Sequence, residues 1–338
     1  MKRTHFLYLT CILVGILTGC TIRQAGQIES FDVVGNADQF STLEQISDYP
    51  FYEYFYPGDY GFDEYLKTGE YDNERTTLFA QNDFACSCFA GFGDENQAIF
   101  GRNFDWYYHP ILILFTQPSS GYRSVSMVDI AYLGYDAHHS PLDDSQALLQ
   151  APYIPFDGMN EMGFAVGMMS ITHAEGGDDP TKVTLGSLEL MRLLLDYAEN
   201  VDEAIHLIKD YNVDFDDIPV HYMIVDKEGQ SAIIEYIDGK PLVIRNEEVW
   251  QVSTNFLITE EPSLGTHSTC WRYNLLEAAL QRSGGILDVS AGLGLLEKVA
   301  QQGDFATRWS VIYDLTNIKL YVTVGGQYRE VYEFSLED

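Results

Sequence analysis

Short apolar runs separated by polar turns make up most of the chain from residue 83 onward. Runs of five to seven residues, many of them β-branched and bounded by glycine, predict β-strands. The predicted strands are Asp83–Gly91, Gln97–Asp105, Ile111–Gln117, Val125–Ala131, Phe164–Ser170, His221–Asp226, Ala232–Ile237, Leu242–Asn246, Trp250–Thr254, Trp309–Asp314 and Lys319–Thr323.

Four later segments follow the period of an α-helix. In the first of them, Leu188, Met191 and Leu195 fall on one face, and Asn200 is a suitable cap for the second. Strands at both ends of the chain with paired helices between them indicate a layered α+β or α/β domain. The predicted helices are Thr184–Ala198, Val201–Lys209, Trp271–Gln281 and Leu287–Gln301.

The most informative segment is a predicted hairpin that begins near Cys86 and turns at Gly93–Asn96. A tight hairpin brings its second strand back beside the first, so Arg102 and Asp105 should lie close to Cys86. A neighbouring cation lowers the pKa of a thiol, and the thiolate is the attacking form. The spacing therefore predicts an activated cysteine nucleophile.

The first 19 residues have the composition of an export signal. Lys2 and Arg3 precede an apolar stretch, Phe6–Leu17, that is too short to span a membrane comfortably. The run Leu17-Thr18-Gly19-Cys20 resembles the lipobox of bacterial lipoproteins, which implies cleavage before Cys20 and lipid attachment to it. We expect an exported lipoprotein held at the outer face of a membrane through Cys20. An ordinary signal peptide and an uncleaved anchor are the alternatives.

Residues 20–85 differ in character from the rest of the chain. They are polar and aromatic, with the run Tyr49–Pro57 at their centre. This composition favours a linker and prosegment that folds only against another surface. The segment either leaves after processing or stays docked as a small subunit. Residues 86–338 fit a single catalytic domain.

Composition and charge narrow the range of partners. The 338 residues are 46% hydrophobic, as in globular proteins, but 51 acidic and 19 basic residues give a formal charge of −32. This excess repels nucleic acid and anionic membrane surfaces, so neither is an expected partner. The sequence leaves open whether the chain forms homo-oligomers.

No Cys or His cluster has zinc-ligand spacing, and neither a metal nor a cofactor is expected. Cys11 lies in the leader and Cys20 would carry lipid, so Cys86, Cys88 and Cys270 remain, and an odd number implies at least one free thiol.

Five short motifs, spread from residue 86 to residue 314, carry the functional information. The most specific is Cys86-Ser87 followed, sixteen residues after the cysteine, by Arg102 within Gly101-Arg102-Asn103-Phe104-Asp105. The others are Asp157-Gly158-Met159-Asn160-Glu161, Ser253-Thr254-Asn255, Cys270-Trp271-Arg272-Tyr273 and Trp309-Ser310-Val311-Ile312-Tyr313-Asp314. In this order they resemble the N-terminal-nucleophile amidases of the choloylglycine hydrolase group. That group includes bile-salt hydrolases, penicillin V acylases, acid-ceramidase-type amidases and the acyltransferases that make penicillins.

The resemblance covers roughly residues 84 to 335 and implies both a fold and a processing step. The fold is an α+β, four-layer αββα sandwich with two stacked, mainly antiparallel sheets. The nucleophile of such enzymes is the first residue of its chain, so a self-cut between Ala85 and Cys86 is expected. The freed α-amine of Cys86 has a reference pKa of about 7.7–8.0 and can act as the general base.

The resemblance also assigns roles to the matching residues. Cys86 is the nucleophile, and Arg102 is expected to hold its thiol as a thiolate. Asp105 would orient the new ammonium, Asn255 would donate to the oxyanion, and Arg272 would brace the site through its charge.

One position departs from the bile-salt hydrolases, which carry a second asparagine where this chain has Ser170. A serine is shorter, so a backbone N–H near Met169 is an alternative second donor to the oxyanion. Asn160 is a further candidate for an oxyanion or supporting role. The departure favours the broader linear-amide subgroup over a bile-salt hydrolase.

These observations predict an exported hydrolase of linear, non-peptide amides, such as N-acyl amides, penicillin V or conjugated bile salts. An acyltransferase that passes the same acyl group to an amine is the first alternative. The second is an inactive, ligand-binding lipoprotein on the same fold. Four residue-level alternatives stay open: Cys88 as the nucleophile, Arg102 with Asp105 as a surface ion pair, Asn255 as a turn residue, and Arg272 as a solvated helix residue.

Overall fold

The computed structural model describes residues 21–24, 39–70, 85–215, 218–260 and 269–336, the first of these ranges as backbone only. The predicted export signal and Cys20 lie outside the described residues. In the described part of the chain, no helix is both long enough and apolar enough to cross a membrane.

Among the described residues, groups of strands are separated first by a single short α-helix and then by two pairs of α-helices. The strands are β1 (Thr21–Gln24), β2 (Glu44–Ser47), β3 (Phe51–Phe55), β4 (Ala85–Asp94), β5 (Gln97–Asp105), β6 (Ile111–Thr116), β7 (Ser124–Asp129), β8 (Asp157–Asn160), β9 (Phe164–Ser170), β10 (Thr184–Gly186), β11 (Asn212–Asp214), β12 (Val220–Asp226), β13 (Ser231–Ile237), β14 (Lys240–Arg245), β15 (Trp250–Ser253), β16 (Thr307–Asp314), β17 (Lys319–Val324) and β18 (Glu330–Ser335). The α-helices are α1 (Phe62–Thr68), α2 (Ser187–Tyr197), α3 (Val201–Leu207), α4 (Trp271–Ser283) and α5 (Val289–Val299). Short 3₁₀ helices lie at Ile130–Leu133, Gln146–Tyr153, Ile208–Asp210 and Ile258–Glu260.

Most of the described strands join two large sheets. Sheet A has the order β1-β18-β17-β16-β5-β4-β15, and sheet B has the order β14-β13-β12-β9-β8-β7-β6-β3-β2. Neighbouring strands in both run antiparallel, except that β1 is parallel to β18 and β3 is parallel to β6. Helices α4 and α5 pack on sheet A, α2 and α3 pack on sheet B, and β4 contacts β9 between the sheets. The predicted four-layer αββα fold is confirmed.

The hairpin β4–β5 is confirmed as well, with Asp94 paired to Gln97 across the turn. Residues paired directly across an antiparallel ladder share a face of the sheet, and successive residues alternate between faces. Cys88 pairs with Arg102, so Cys86, two residues away, lies on the same face as Arg102. That face is turned towards sheet B. Asp105 lies on the opposite face, towards α4 and α5.

Residues before Cys86 form one edge of sheet B. Strand β3 pairs with β6, and β2 lies outside β3. The side chains of Phe51 and Tyr54 are fully buried, and that of Phe62 in α1 is nearly so. The aromatic part of the predicted prosegment therefore contributes to the hydrophobic core of the described fold.

Some boundaries differ from the prediction. Thr184–Gly186 pair as β10 with β11, so helix α2 begins at Ser187 rather than at Thr184. Strands β8 and β18 are not predicted from the sequence, because glycine and charged residues interrupt their apolar pattern.

Candidate active site

Cys86 is the second residue of β4 and has no solvent exposure. Its Sγ lies 3.4 Å from Nη2 of Arg102, and its backbone nitrogen donates to Oδ1 of Asn255 over 2.7 Å. Ala85 is the first residue of the same strand. The cluster therefore holds both the thiol and the nitrogen that a cut would release.

Arg102 lies between the two sheets and is fully buried. Its Nε lies 2.8 Å from Oδ2 of Asp157, and its Nη1 donates to the backbone oxygen of Met168 in β9. Asp157 also accepts from Nε1 of Trp309 at 2.9 Å and from the hydroxyl of Tyr313 at 2.5 Å. The guanidinium beside Cys86 is thus held by a carboxylate and a carbonyl of sheet B.

Asp105 and Arg272 meet on the other face of sheet A. Nη1 of Arg272, in α4, lies 3.2 Å from Oδ2 of Asp105 and donates to the backbone oxygen of Cys86 over 2.5 Å. Asp105 also accepts from Thr307 Oγ1 at 2.5 Å and from Gln301 Nε2 at 2.9 Å. These bonds fix the start of β4 from the helix side.

Asn255 follows β15, which ends at Ser253. Its Oδ1 also accepts from Nη2 of Arg272 at 2.8 Å, and its Nδ2 donates to the backbone oxygen of Ser170 at 2.8 Å. The side chain therefore connects Cys86, the helix layer and the end of β9.

Two of the residue-level alternatives are wrong. Arg102 and Asp105 do not form a surface ion pair, because both are fully buried and each has a different charged partner. Arg272 is not a solvated helix residue, since it is only 7% exposed and bonds Asp105, Asn255 and Cys86.

The three further candidates for an oxyanion or supporting role differ in their contacts with the site. Ser170 is near the site through its backbone oxygen, which accepts from Asn255. Met169 is fully buried in β9 and pairs with His221 of β12. Asn160 does not bond to the Cys86 cluster in this structure: its Nδ2 donates to the backbone oxygens of Leu195 and Ala198. Asn160 is absent from the cluster because it ends β8, where its side chain ties the adjoining turn to the end of α2.

The electrostatics of Cys86 also differ from the expectation. Burial raises the pKa of its thiol to about 12, and the opposing effect of Arg102 does not offset the burial. In this structure the thiol is therefore protonated at neutral pH, not held as a thiolate. An attack by this sulfur would need a base to take its proton.

A family model for linear amide C–N hydrolases of the choloylglycine hydrolase family matches residues 86–259. The chain belongs to this family. As a member, it is a hydrolase of linear amide C–N bonds. No curated protein matches the sequence significantly.

Solved structures with the same fold accompany that family assignment. Penicillin V acylase from Agrobacterium tumefaciens superposes with a TM-score of 0.54 at 18% identity, over 74% of this chain and 86% of that one. A mutant of the conjugated bile acid hydrolase from Clostridium perfringens gives a TM-score of 0.55 at 15% identity, over 74% and 92%. At these identities the likeness shows the fold alone.

In this choloylglycine hydrolase family member, sequence reasoning missed the residues that hold Arg102 and Asp105. Asp157 opens one of the family-like motifs, and Trp309 and Tyr313 belong to another, yet no role was predicted for these three residues. The available signal was their membership of those motifs. Gln301 and Thr307 gave no signal, since single polar residues near a helix end or strand start are common.

Proposed function

We propose that the chain is an exported cysteine hydrolase of linear N-acyl amides, with Cys86 as a nucleophile released by a cut before it. The observation that carries this proposal is that both the thiol and the backbone nitrogen of Cys86 contact candidate catalytic side chains. Its thiol lies 3.4 Å from the Arg102 guanidinium, and its nitrogen lies 2.7 Å from Asn255 Oδ1. A cut would create an α-amine inside the same cluster.

The cut is an N-to-S acyl shift followed by hydrolysis. The sulfur of Cys86 attacks the carbonyl carbon of Ala85, the bond to the Cys86 nitrogen breaks, and the thiol proton passes to that nitrogen. Water then hydrolyses the thioester, which leaves a carboxylate on Ala85 and restores the thiol. Arg272 holds the carbonyl of Cys86 through both steps.

Amide hydrolysis reuses the same atoms. The α-amine, with a reference pKa of about 7.7–8.0, accepts the thiol proton as sulfur attacks the substrate carbonyl. Asn255 is the candidate donor to the oxyanion, and a donor of this kind contributes about 3–4 kcal/mol in other hydrolases. Asp105 pairs with Ala85 at the start of β4, where the ammonium would form, and this supports it as the residue that orients the ammonium.

The first prediction is that purified wild-type protein contains a chain that begins at Cys86. Intact-mass analysis should show residues 86–338 as a separate species, since the thiol of Cys86 lies beside Arg102 and its nitrogen bonds Asn255. The same preparation should hydrolyse at least one substrate in a panel of penicillin V, N-acyl amino acids and a glycine-conjugated bile salt. Iodoacetamide should abolish that activity. An intact Ala85–Cys86 bond together with no turnover of any substrate would contradict the proposal.

We also propose that residues 20–85 stay bound to the catalytic chain after the cut, with lipid on Cys20 as the anchor. Besides the β3–β6 pairing, the hydroxyl of Tyr60 donates to both carboxylate oxygens of Asp196, at 2.6 and 2.7 Å. Asp196 pairs with Arg192 at 2.7 Å, and the guanidinium lies 5.6 Å from the centre of the Tyr60 ring. Loss of the segment would uncover this buried ion pair and the edge of sheet B, and both are unfavourable.

The second prediction follows from that contact. After the cut, native mass spectrometry should give a 1:1 complex of the two chains, and the denatured small chain should carry the mass of a lipid on Cys20. Tyr60→Ala should release the small chain, since truncating a buried aromatic residue costs about 3–5 kcal/mol. Leu242→Ala is the control, because Leu242 is 39% exposed and lies in β14, at the opposite edge of sheet B from β3. Separation of the wild-type chains during native size-exclusion chromatography would refute the docked arrangement.

A further inference from the structure

A second group of buried ionisable residues lies in sheet B and has no part in the steps above. His221 in β12 and Glu235 in β13 both have no solvent exposure. Burying ionisable groups is unfavourable unless each finds partners, so the contacts of such a pair indicate what it holds.

His221 contacts the segment that leads to Asn255. Its Nε2 lies 2.7 Å from the backbone oxygen of Thr254 and 3.2 Å from Oγ of Ser253. A carbonyl oxygen only accepts hydrogen bonds, so Nε2 carries the proton and donates to Thr254. This bond also excludes the use of His221 as a general base for Ser253. The imidazole therefore fixes the backbone immediately before Asn255.

Glu235 contacts the segment on the other side of Asn255. Its carboxylate accepts from the backbone nitrogen of Ile258 at 2.5 Å and from Oγ1 of Thr259 at 2.6 Å. It faces Nδ1 of His221 at 3.5 Å. Burial raises the pKa of Glu235, but the hydrogen bonds from His221, Thr259 and Ile258 outweigh it, so the pKa is lowered overall. The carboxylate is ionised at neutral pH and holds the first turn of the 3₁₀ helix Ile258–Glu260.

The two contacts bracket Asn255. The ladder of β15 ends at Ser253, so strand pairing does not extend to Asn255. Yet Asn255 must place its amide within hydrogen-bonding distance of the Cys86 nitrogen, Arg272 and Ser170. A displacement of about 1 Å at a catalytic group can cost about 100-fold in rate.

We propose that His221 and Glu235 are positioning residues: together they hold residues 254 and 258–259 so that the Asn255 amide is aligned with Cys86. The proposal rests on the proposed function of Asn255 at this site. Neither residue touches the substrate or the nucleophile. Their effect on the rate is transmitted through the backbone on either side of Asn255.

The test is a pair of substitutions that separates the two contacts of His221. Glutamine places its amide nitrogen close to the position of Nε2, and asparagine places its nitrogen close to that of Nδ1. We expect His221→Gln to keep the bond to Thr254 and retain kcat within about threefold. We expect His221→Asn to lose that bond and lower kcat by about 10–100-fold, with KM changed by less than about threefold.

Two controls distinguish positioning from simple packing. His138→Asn alters an exposed loop histidine whose backbone nitrogen donates to Asp136, and should leave kcat unchanged. Thermal unfolding is measured for each variant, and Glu235→Gln, which keeps the shape of the side chain, serves if His221→Asn does not fold. Equal loss of kcat in His221→Gln and His221→Asn, or a loss that follows only the unfolding temperature, overturns the proposal while amide hydrolysis by Cys86 stands. A wild-type protein that neither cuts itself nor hydrolyses amides instead removes the proposed function, and this inference with it.

Discussion

Cys86→Ala should leave the chain uncut and remove amide hydrolysis, whereas Cys88→Ala should do neither. Only Cys86 has its backbone nitrogen on Asn255 and its thiol 3.4 Å from Arg102. We expect turnover to fall by roughly 10⁵–10⁶-fold, the scale found when other hydrolases lose their nucleophile. Intact mass reports the cut, and hydrolysis of an N-acyl amide accepted by the wild type reports turnover.

Cys88 is a suitable matched control because it is equally buried and lies on the same face of β4. Its backbone lies between β5 and β15, paired with Arg102 on one side and Ser253 on the other. A new chain that began at Cys88 would therefore start inside the strand pairs of both neighbours, whereas Cys86 lies beyond the last β15 pair. The Cys88 thiol also interacts with Arg102, so we expect Cys88→Ala to remove that contact and to cost about 1 kcal/mol in stability through a small cavity. Cutting retained in Cys86→Ala but lost in Cys88→Ala would reverse the two roles.

The part of the site that the sequence predicted is the part built from neighbouring segments. Cys86, Arg102 and Asp105 belong to one hairpin, and a short turn determines which residues of its strands are paired. The family-like motifs added Asn255 and Arg272, which the structure brings to Cys86. These residues required no knowledge of how the sheets stack.

The rest depends on contacts between segments that are distant in the sequence. The aromatic run around Phe51 gave no strand prediction, since its pairing partner is Ile111 in β6. The pairing of Arg102 with Asp157 arises only when sheet A packs on sheet B. Asn160 was a candidate for the site because of its motif, yet its distant partners in and after α2 determine its role.

The sequence did not predict the protonated form of the Cys86 thiol, for a related reason. A sequence shows that a cation is near, but it does not show that the thiol is fully buried. Burial acts against the charged form of the thiol and here outweighs Arg102, so the pKa rises to about 12. Under the proposed mechanism, Arg102 would stabilise the thiolate only as it forms, and the α-amine would be required to accept the proton.

Asp157→Asn should have the largest effect on stability among substitutions outside the nucleophile. Asparagine keeps the volume of the side chain but removes the charge opposite Arg102, which has no solvent exposure. An uncompensated buried charge costs about 3–5 kcal/mol, and the new amide would also oppose the donors Trp309 and Tyr313. The free energy of unfolding from denaturant titration should fall by that amount, and the cut before Cys86 should slow as Arg102 shifts.

The matched control for this change is Asp202→Asn, which neutralises the carboxylate of an exposed pair with Arg245. Asp202 is 65% exposed and Arg245 is 44% exposed, so water solvates both charges in either variant. Such a pair contributes at most about 1 kcal/mol, and the free energy of unfolding should change little. If both substitutions had the same small effect, Asp157 would not be the counter-ion that holds Arg102. Arg102 reaches Cys86 from between the sheets. Its position beside the thiol would then have to depend on another contact, such as its bond to the backbone oxygen of Met168.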